Sequence, residues 1–327
     1  MMKDAILDFS KQFSFTPEIA RAETLPYAQK WVVCGMGGSH LAADLLRAWD
    51  PSLDIVVHTD YGLPALSETE LQERLIIISS YSGNTEEALD AFEVARKKNL
   101  SVAALSVGGK LEALAKEYGV PFIKLPDTGI QPRSALGFSM KGMMKLMGLE
   151  KELADIETLA NRLNPAELEA QGKEIAEWLK DKVPVIYSST RFAPVAYNWK
   201  IKFNETGKIP AFYNTFPELN HNEMNGFDAK EESRHLSERF AFIFLKHDTD
   251  HPRVQVRMEV LEEQYKERGF PVKALLMSAD DKEQHVFEDI FTSLLIADWT
   301  AVHTAEFYGL ESEQVPMIEE FKKRIAG

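Results

Sequence analysis

The stretch Leu75-Ile76-Ile77-Ile78-Ser79-Ser80-Tyr81-Ser82-Gly83-Asn84-Thr85-Glu86-Glu87-Ala88-Leu89 decides the fold. Its apolar run has no polar alternation, which is how a strand covered on both faces of a parallel sheet reads. A helical pattern follows at once. Ala88, Leu89, Phe92 and Ala95 recur at helical spacing, and Asn84 with Glu87 three residues on fits a capped start. Between strand and helix lie Ser79, Ser80, Ser82 and Thr85, beside Gly83. A helix N-terminus offers unpaired N–H groups and positive potential, and hydroxyls add donors, so the turn suits a phosphate. It also suits a serine-rich loop that only caps its helix, and the segment alone leaves both readings open.

Working outward, Trp31-Val32-Val33-Cys34-Gly35-Met36-Gly37-Gly38-Ser39-His40 is a second strand running into a glycine turn, with Leu41, Leu45 and Leu46 continuing as a helix. Asp54 to His58, Ser101 to Leu105 and Pro121 to Leu125 complete five β segments at helix-length intervals. This alternation predicts a parallel sheet with helices on both faces and right-handed crossovers. Ligands of such sheets sit at the carboxyl ends of strands, where both glycine/serine turns fall. A loop from Asp127 to Arg133, containing Gly129 and Pro132, leads into a Met-rich helix from Ser134 to Leu149.

The charged, helical stretch Lys151 to Lys182 carries the chain to its second half. There Pro184-Val185-Ile186-Tyr187-Ser188-Ser189 restarts the alternation, parallel to Trp31–Ser39 but without its glycines. Phe240 to Leu245 and Val272 to Met277 read as further strands. Helices follow from about Gln284 to Tyr308 and from about Val315 to Ile325. The expected architecture is α/β: two tandem doubly wound domains, residues 1–152 and 153–327.

Composition narrows the function classes. The 327 residues are 45% hydrophobic and 27% charged, as in soluble globular proteins, and suit two domains. Net charge is −14, with no basic cluster beyond Lys322-Lys323-Arg324, which argues against nucleic acid as a partner. An anionic substrate must therefore be captured by local donors. The single cysteine, Cys34, forms no internal disulfide, and no Cys/His spacing resembles a zinc site. Its expected role is that of a small buried hydrophobe. Met1 to Phe15 reads as an amphipathic helix and not a signal peptide. No apolar run approaches a membrane span, and a cytosolic location is expected.

Gly35-Met36-Gly37-Gly38-Ser39-His40 begins like a dinucleotide fingerprint, but His40 stands where the third small residue belongs. Asp60, near the end of the second strand, keeps a nicotinamide alternative open through a ribose contact. No Gly-Lys-Ser/Thr follows either turn, so a nucleotide P-loop is worse supported. Two turns rich in N–H groups and hydroxyls suit one phosphomonoester with a polar organic body.

Gly35-Met36-Gly37-Gly38-Ser39, followed by Ser80-Tyr81-Ser82-Gly83-Asn84-Thr85-Glu86-Glu87, resembles the sugar isomerase (SIS) domain, which binds phosphosugars. Pro132-Arg133-Ser134, Asn204-Glu205-Thr206-Gly207-Lys208-Ile209-Pro210, Asn220-His221-Asn222-Glu223 and Ile318-Glu319-Glu320-Phe321-Lys322 extend the likeness in chain order. Together they resemble the bifunctional phosphoglucose/phosphomannose isomerase family over nearly the whole chain. The resemblance implies that Gly38, Ser39, Ser80, Ser82 and Thr85 hold the substrate phosphate. His40 departs from the glycine usual after that serine.

The resemblance further implies that Glu205 is the base moving a proton between C1 and C2 of the open-chain sugar. His221 would assist ring opening, contributed by the partner subunit of a homodimer. Arg133 would stabilise the enediolate. Lys322 would stand at the ring oxygen or O1, with Lys323 offering an alternative alignment.

The residues' own physics is compatible with these roles. Phe192, Val195, Ala196, Trp199 and Phe203 form one helical face, with Gly207 as the expected C′ stop. That leaves Glu205 off the stripe, in the last turn, where the helix dipole opposes a carboxylate. An imidazole gives and takes protons near neutrality, and a guanidinium is a permanent donor for a developing anion. Taken alone, each could be an ordinary surface side chain. A metal at His221 with Glu223 has too few ligands.

The expected activity is aldose–ketose isomerisation of glucose 6-phosphate and fructose 6-phosphate, with mannose 6-phosphate as well, through a cis-enediol and without metal or organic cofactor. Two rivals stand beside it: a non-catalytic phosphosugar-binding regulator, and an isomerase of another sugar phosphate.

Overall fold

A computed structural model describes residues 2–278 and 285–325. Met1 and Gln284, where two of the helical segments read from the sequence begin, lie outside the described residues. The chain divides into two compact units, Leu7–Asn164 and Met1–Ile6 with Pro165–Gly327. Their junction at Asn164/Pro165 lies beyond the 152/153 boundary expected from the sequence. The charged stretch Lys151–Lys182 is shared between them. The expected N-terminal helix is broken: α1 (Met2–Leu7) gives way to a 3₁₀ segment, Phe9–Ser14. This tighter turn buries Phe9, Gln12 and Phe13. The Gln12 amide oxygen then accepts from the Gly137 and Phe138 N–H groups at 3.0 and 3.3 Å.

In chain order the first unit contains β1 (Ile19–Ala20), β2 (Lys30–Cys34), α2 (Gly38–Trp49), β3 (Asp54–His58), α3 (Glu68–Gln72), β4 (Leu75–Ser79) and α4 (Glu86–Lys97). There follow β5 (Val102–Ser106), α5 (Gly109–Tyr118), β6 (Phe122–Lys124), α6 (Leu136–Met147), α7 (Glu150–Glu157) and α8 (Leu159–Arg162). The sheet order is β1-β6-β5-β4-β2-β3, parallel except for β1, which pairs antiparallel with β6. The five parallel strands were legible as apolar runs. The two-residue β1 was not. Ile76, Ile78, Val32 and Ala104 pack one sheet face against Ala88, Ala91 and Phe92 of α4 and against Leu111 and Ala115 of α5. On the other face Gly142 of α6 lies close against Leu105, Ile123 and Leu125, where a Cβ would come within 3.1 Å of the Leu105 side chain. Chain order reverses between β2 and β4, and there a doubly wound sheet opens a crevice at its carboxyl edge.

The second unit contains α9 (Glu169–Trp178), β7 (Val183–Ser189), α10 (Ala193–Glu205), β8 (Phe212–Phe216), β9 (Phe240–Lys246), α11 (Pro252–Glu267), β10 (Val272–Leu276), α12 (Val286–Phe307) and α13 (Pro316–Ile325). Its all-parallel sheet runs β10-β9-β7-β8, the same winding with its reversal between β7 and β9. One face buries a ring cluster of Tyr187, Phe216, Phe242, Phe244 and Phe270 under Met258, Leu261 and Tyr265 of α11. On the opposite face α10 packs on α12: Trp199 Nε1 donates to Ser293 Oγ at 3.0 Å, and the buried Lys202 pairs with Asp298 at 2.6 Å. Among the described residues no helix is long and apolar enough to cross a membrane.

Candidate active site

The first unit's reversal point brings the two hydroxyl-rich turns together. After β2, Gly37 takes a left-handed conformation (φ +52°) as N-cap of α2. Ser39, buried in the first turn, stitches the loops. Its Oγ accepts from the Tyr81 N–H at 2.9 Å, and its carbonyl accepts from Ser79 Oγ at 2.7 Å. Ser80, fully buried, donates to Thr85 Oγ1 at 2.9 Å, while Ser82 stays exposed and accepts from the Asn84 N–H. Thr85, not Asn84, is the N-cap of α4, and no side-chain bond closes that helix start. Asn84 instead ties the turn to the next loop by accepting from the Lys110 N–H at 3.1 Å. Its short amide side chain is spent on this bridge. Backbone N–H groups at a helix start, without a side-chain cap, are suited to an anion.

Arg133 belongs to the same cluster. It sits, 3% exposed, in a 3₁₀ turn Pro132–Ser134. A Cβ placed on Gly38 would come within 2.8 Å of the Arg133 nitrogen and 2.7 Å of the Pro132 carbonyl carbon. Gly38 is therefore a glycine of close approach, letting the arginine segment lie directly on the turn after β2. His40 turns along α2, its Nδ1 2.6 Å from Asp44 Oδ2, within a helix that runs from Gly38 to Trp49. Cys34 is buried, and burial pushes its thiol up to about 12, which keeps it protonated and unreactive.

The other candidates lie in the second unit. Glu205 is the half-buried last residue of α10. The expected stripe is present: Phe192, Val195, Ala196, Trp199 and Phe203 are all fully buried. The C′ stop works differently from the expectation. Gly207 does not take positive φ; Lys208 does (φ +59°). Gly207 is required because a Cβ would lie 2.9 Å from the Phe203 carbonyl oxygen. The Lys208 ammonium donates to the Glu205 carbonyl at 2.5 Å and to the Gln314 carbonyl, joining the end of α10 to the segment that enters α13. Lys322 is exposed on α13 and paired with Glu319 at 2.8 Å, and Lys323 beside it is exposed too.

His221 ends a 3₁₀ turn, Glu218–His221, and is exposed. It lines a cleft of about 610 Å³ with Asn220, Asn222, Asn225 and Gln264, and with Arg268, whose guanidinium is paired with Asp228 at 2.9 Å. Its segment packs through Leu219 into the ring cluster under α11. Glu205 comes from α10, which packs on α12. The four-stranded sheet thus separates the face carrying the Glu205 helix from the face carrying the His221 segment. One residue that sequence reasoning left without a role is Glu223, whose carboxylate bonds Tyr187 and Asn214. Only its place beside His221 in the sequence pointed to it. Among the described residues no group of three or more His, Cys, Asp or Glu side chains is arranged to hold a metal.

A family model described as the bacterial phospho-glucose isomerase C-terminal SIS domain matches residues 168–325. The chain is 32% identical to the bifunctional phosphoglucose/phosphomannose isomerase of Aquifex aeolicus (strain VF5), over 97% of its own length and 96% of that protein. It is 31% identical to the corresponding protein of Caldicellulosiruptor bescii, over 91% of this chain and 89% of that one. The crystal structure of tagatose-6-phosphate ketose/aldose isomerase from Escherichia coli superposes with a TM-score of 0.67 at 15% identity, covering 95% of this chain and 94% of that one. This last likeness is one of fold.

Proposed function

Because the chain belongs to the bifunctional phosphoglucose/phosphomannose isomerase family, we propose that it interconverts glucose 6-phosphate and fructose 6-phosphate, and mannose 6-phosphate as well, by moving a proton between C1 and C2. The observation that carries this reading is the junction at the ends of β2 and β4. There Ser39 and Ser80 build the phosphate turns, and Gly38 admits the Arg133 segment directly onto them. Gly38, Ser39, Ser80, Ser82 and Thr85 hold the phosphate. His221, with Lys322, opens the ring. Glu205 takes the proton from C2 and returns it to C1, and Arg133 stabilises the enediolate between these steps. The substrate's own carbonyl acidifies the adjacent carbon, so this chemistry asks for no metal or organic cofactor.

Glu205 and His221 depart from opposite faces of one sheet, which supports a site completed by two chains, with His221 of the partner subunit serving each Glu205. The protein is then a homodimer, and a cytosolic one in keeping with its single buried thiol.

The test is direct. Purified protein is given fructose 6-phosphate with a chelator present, and glucose 6-phosphate and mannose 6-phosphate are measured. Retained binding without turnover would leave a phosphosugar-binding protein and end the isomerase reading. Glu205→Gln should lower turnover by about 10²–10⁴-fold while phosphosugar affinity changes little. A variant that still turns over removes Glu205 as the base.

A further inference from the structure

An exposed imidazole on a 3₁₀ turn has little packing of its own to fix it. Two residues before His221, Leu219 is fully buried in the ring cluster, and two residues after it begins a second 3₁₀ turn, Glu223–Phe227. The polar anchor of this segment is Glu223. Tyr187 of β7 and Asn214 of β8 are register partners, so their side chains leave the same face of the sheet. Glu223 spans both. Tyr187 Oη donates to Glu223 Oε1, and Asn214 Nδ2 donates to Glu223 Oε2 at 2.5 Å. The direction of each bond is fixed. Asn214 Oδ1 already accepts from the Thr215 N–H at 2.8 Å, which turns the amide NH₂ toward Glu223. Tyr187 is fully buried, and burial first, then Tyr265 and Glu223, pushes its phenol far above the ordinary value, so the hydroxyl keeps its proton.

The backbone between His221 and Glu223 is held in turn. Asn222 Oδ1 accepts from the Glu223 N–H at 2.6 Å, and Asn222 Nδ2 donates to Glu218 Oε1 at 2.8 Å. From this arrangement we infer that Glu223 is a positioning residue for His221, its carboxylate clamping the imidazole-bearing segment to β7 and β8. The inference rests on the isomerase reading, in which His221 acts on the sugar ring. A carboxylate is required at 223 because both of its partners donate. An amide there would set one N–H against another donor.

The Glu223→Gln variant tests this, alone and with Asn214→Asp. The pair of substitutions exchanges donor and acceptor between the two side chains and conserves net charge. E223Q should lower kcat for fructose 6-phosphate by about 10- to 100-fold, with KM moving by less than a factor of about three, as misplacement of a reacting group does. The double variant E223Q/N214D should recover most of that loss. In a His221→Gln background E223Q should change the residual rate by less than about twofold, because the group it positions is gone. Amide hydrogen exchange across residues 218–227 should rise in E223Q while β7 and β9 stay protected. An active parent with E223Q within twofold of it, or a loss of equal size in the H221Q background, would overturn this inference alone. A parent that does not turn over the sugar phosphates would overturn the isomerase reading and this inference with it.

Discussion

The two sheets share one winding and so open two equivalent crevices, between β2 and β4 and between β7 and β9. Their contents differ. The first is walled by Gly35, Gly37, Gly38 and Gly83 and by small hydroxyls. The second holds Phe192 and His247, stacked with ring centres 4.5 Å apart, and the buried Asp250. His247 is sealed in, with Nδ1 2.8 Å from Thr249 Oγ1 and Nε2 3.2 Å from Asp289 Oδ2. Asp250 Oδ2 accepts from the His247 N–H, so this turn supplies its own anion where the first leaves donors for a ligand. Topology places a crevice at each reversal of strand order, and side-chain size decides which one is left open to a ligand.

The largest effect that tests this comparison is expected from Gly83→Ala. Gly83 has φ +70°, and a Cβ there would lie 1.8 Å from the Gly108 carbonyl oxygen, a backbone atom with no rotamer to give way. Left-handed strain and overpacking together should destabilise the first unit by about 3 kcal/mol or more. For a unit of this size the melting temperature should fall by roughly 6–12 °C, and affinity for fructose 6-phosphate should be lost. A variant that melts and binds like the parent would show that the glycine contact does not shape the turn after β4.

The filled crevice should respond in the opposite manner. His247→Ala removes a fully buried ring with its stacking and hydrogen bonds, at an expected cost of about 2 kcal/mol. Activity should be spared. Phe192 and His247 lie at the start of α10, and Glu205 closes that helix about 20 Å away. The KM for fructose 6-phosphate should stay within twofold in the variant. A large rise in KM with little change in melting temperature would reassign the β7/β9 crevice as a ligand site.

The same contrast explains what the sequence disclosed. Features made by neighbours in the chain were legible: the unbroken apolar runs of β2, β4 and β9, the stripe of α10, and the hydroxyl turns after β2 and β4. Features made by distant partners were not. β8 was missed because Phe212 and Tyr213 are exposed on an edge strand and alternate with nothing. Asn84 looked like a cap, but its amide is committed to the Lys110 N–H, 26 residues on. Gly207 was read as a left-handed stop, whereas its smallness serves the approach of the Phe203 carbonyl. Ser39 was read as a phosphate ligand, and no local pattern announced that its hydroxyl also accepts from the Tyr81 N–H. Glu223 stood in a quoted motif without a role, since Tyr187 is 36 residues away from it in the chain.

The finest distinction concerns the carboxylate that fills the second crevice. Burial pushes the Asp250 carboxyl above the ordinary aspartate value, and the Ser189 hydroxyl, the His247 N–H and the charges of His247 and Arg191 pull it only partly back. The sign of its effect on stability follows. Well below the ordinary aspartate range, folded and unfolded chains both hold the proton, and the group contributes nothing. As pH rises, the unfolded chain releases its proton first. Folding is then opposed increasingly until folded Asp250 ionises as well, and by a constant amount above that. Asp250→Asn, neutral throughout and still offering an oxygen to the His247 N–H, should match the parent near pH 3 and melt higher near pH 8. An advantage of the same size at both pH values would trace to packing and not to charge. A lower melting temperature near pH 8 would mean that the ionised carboxylate stabilises the crevice it fills, and the two crevices would then differ in the anion they hold, not in whether they hold one.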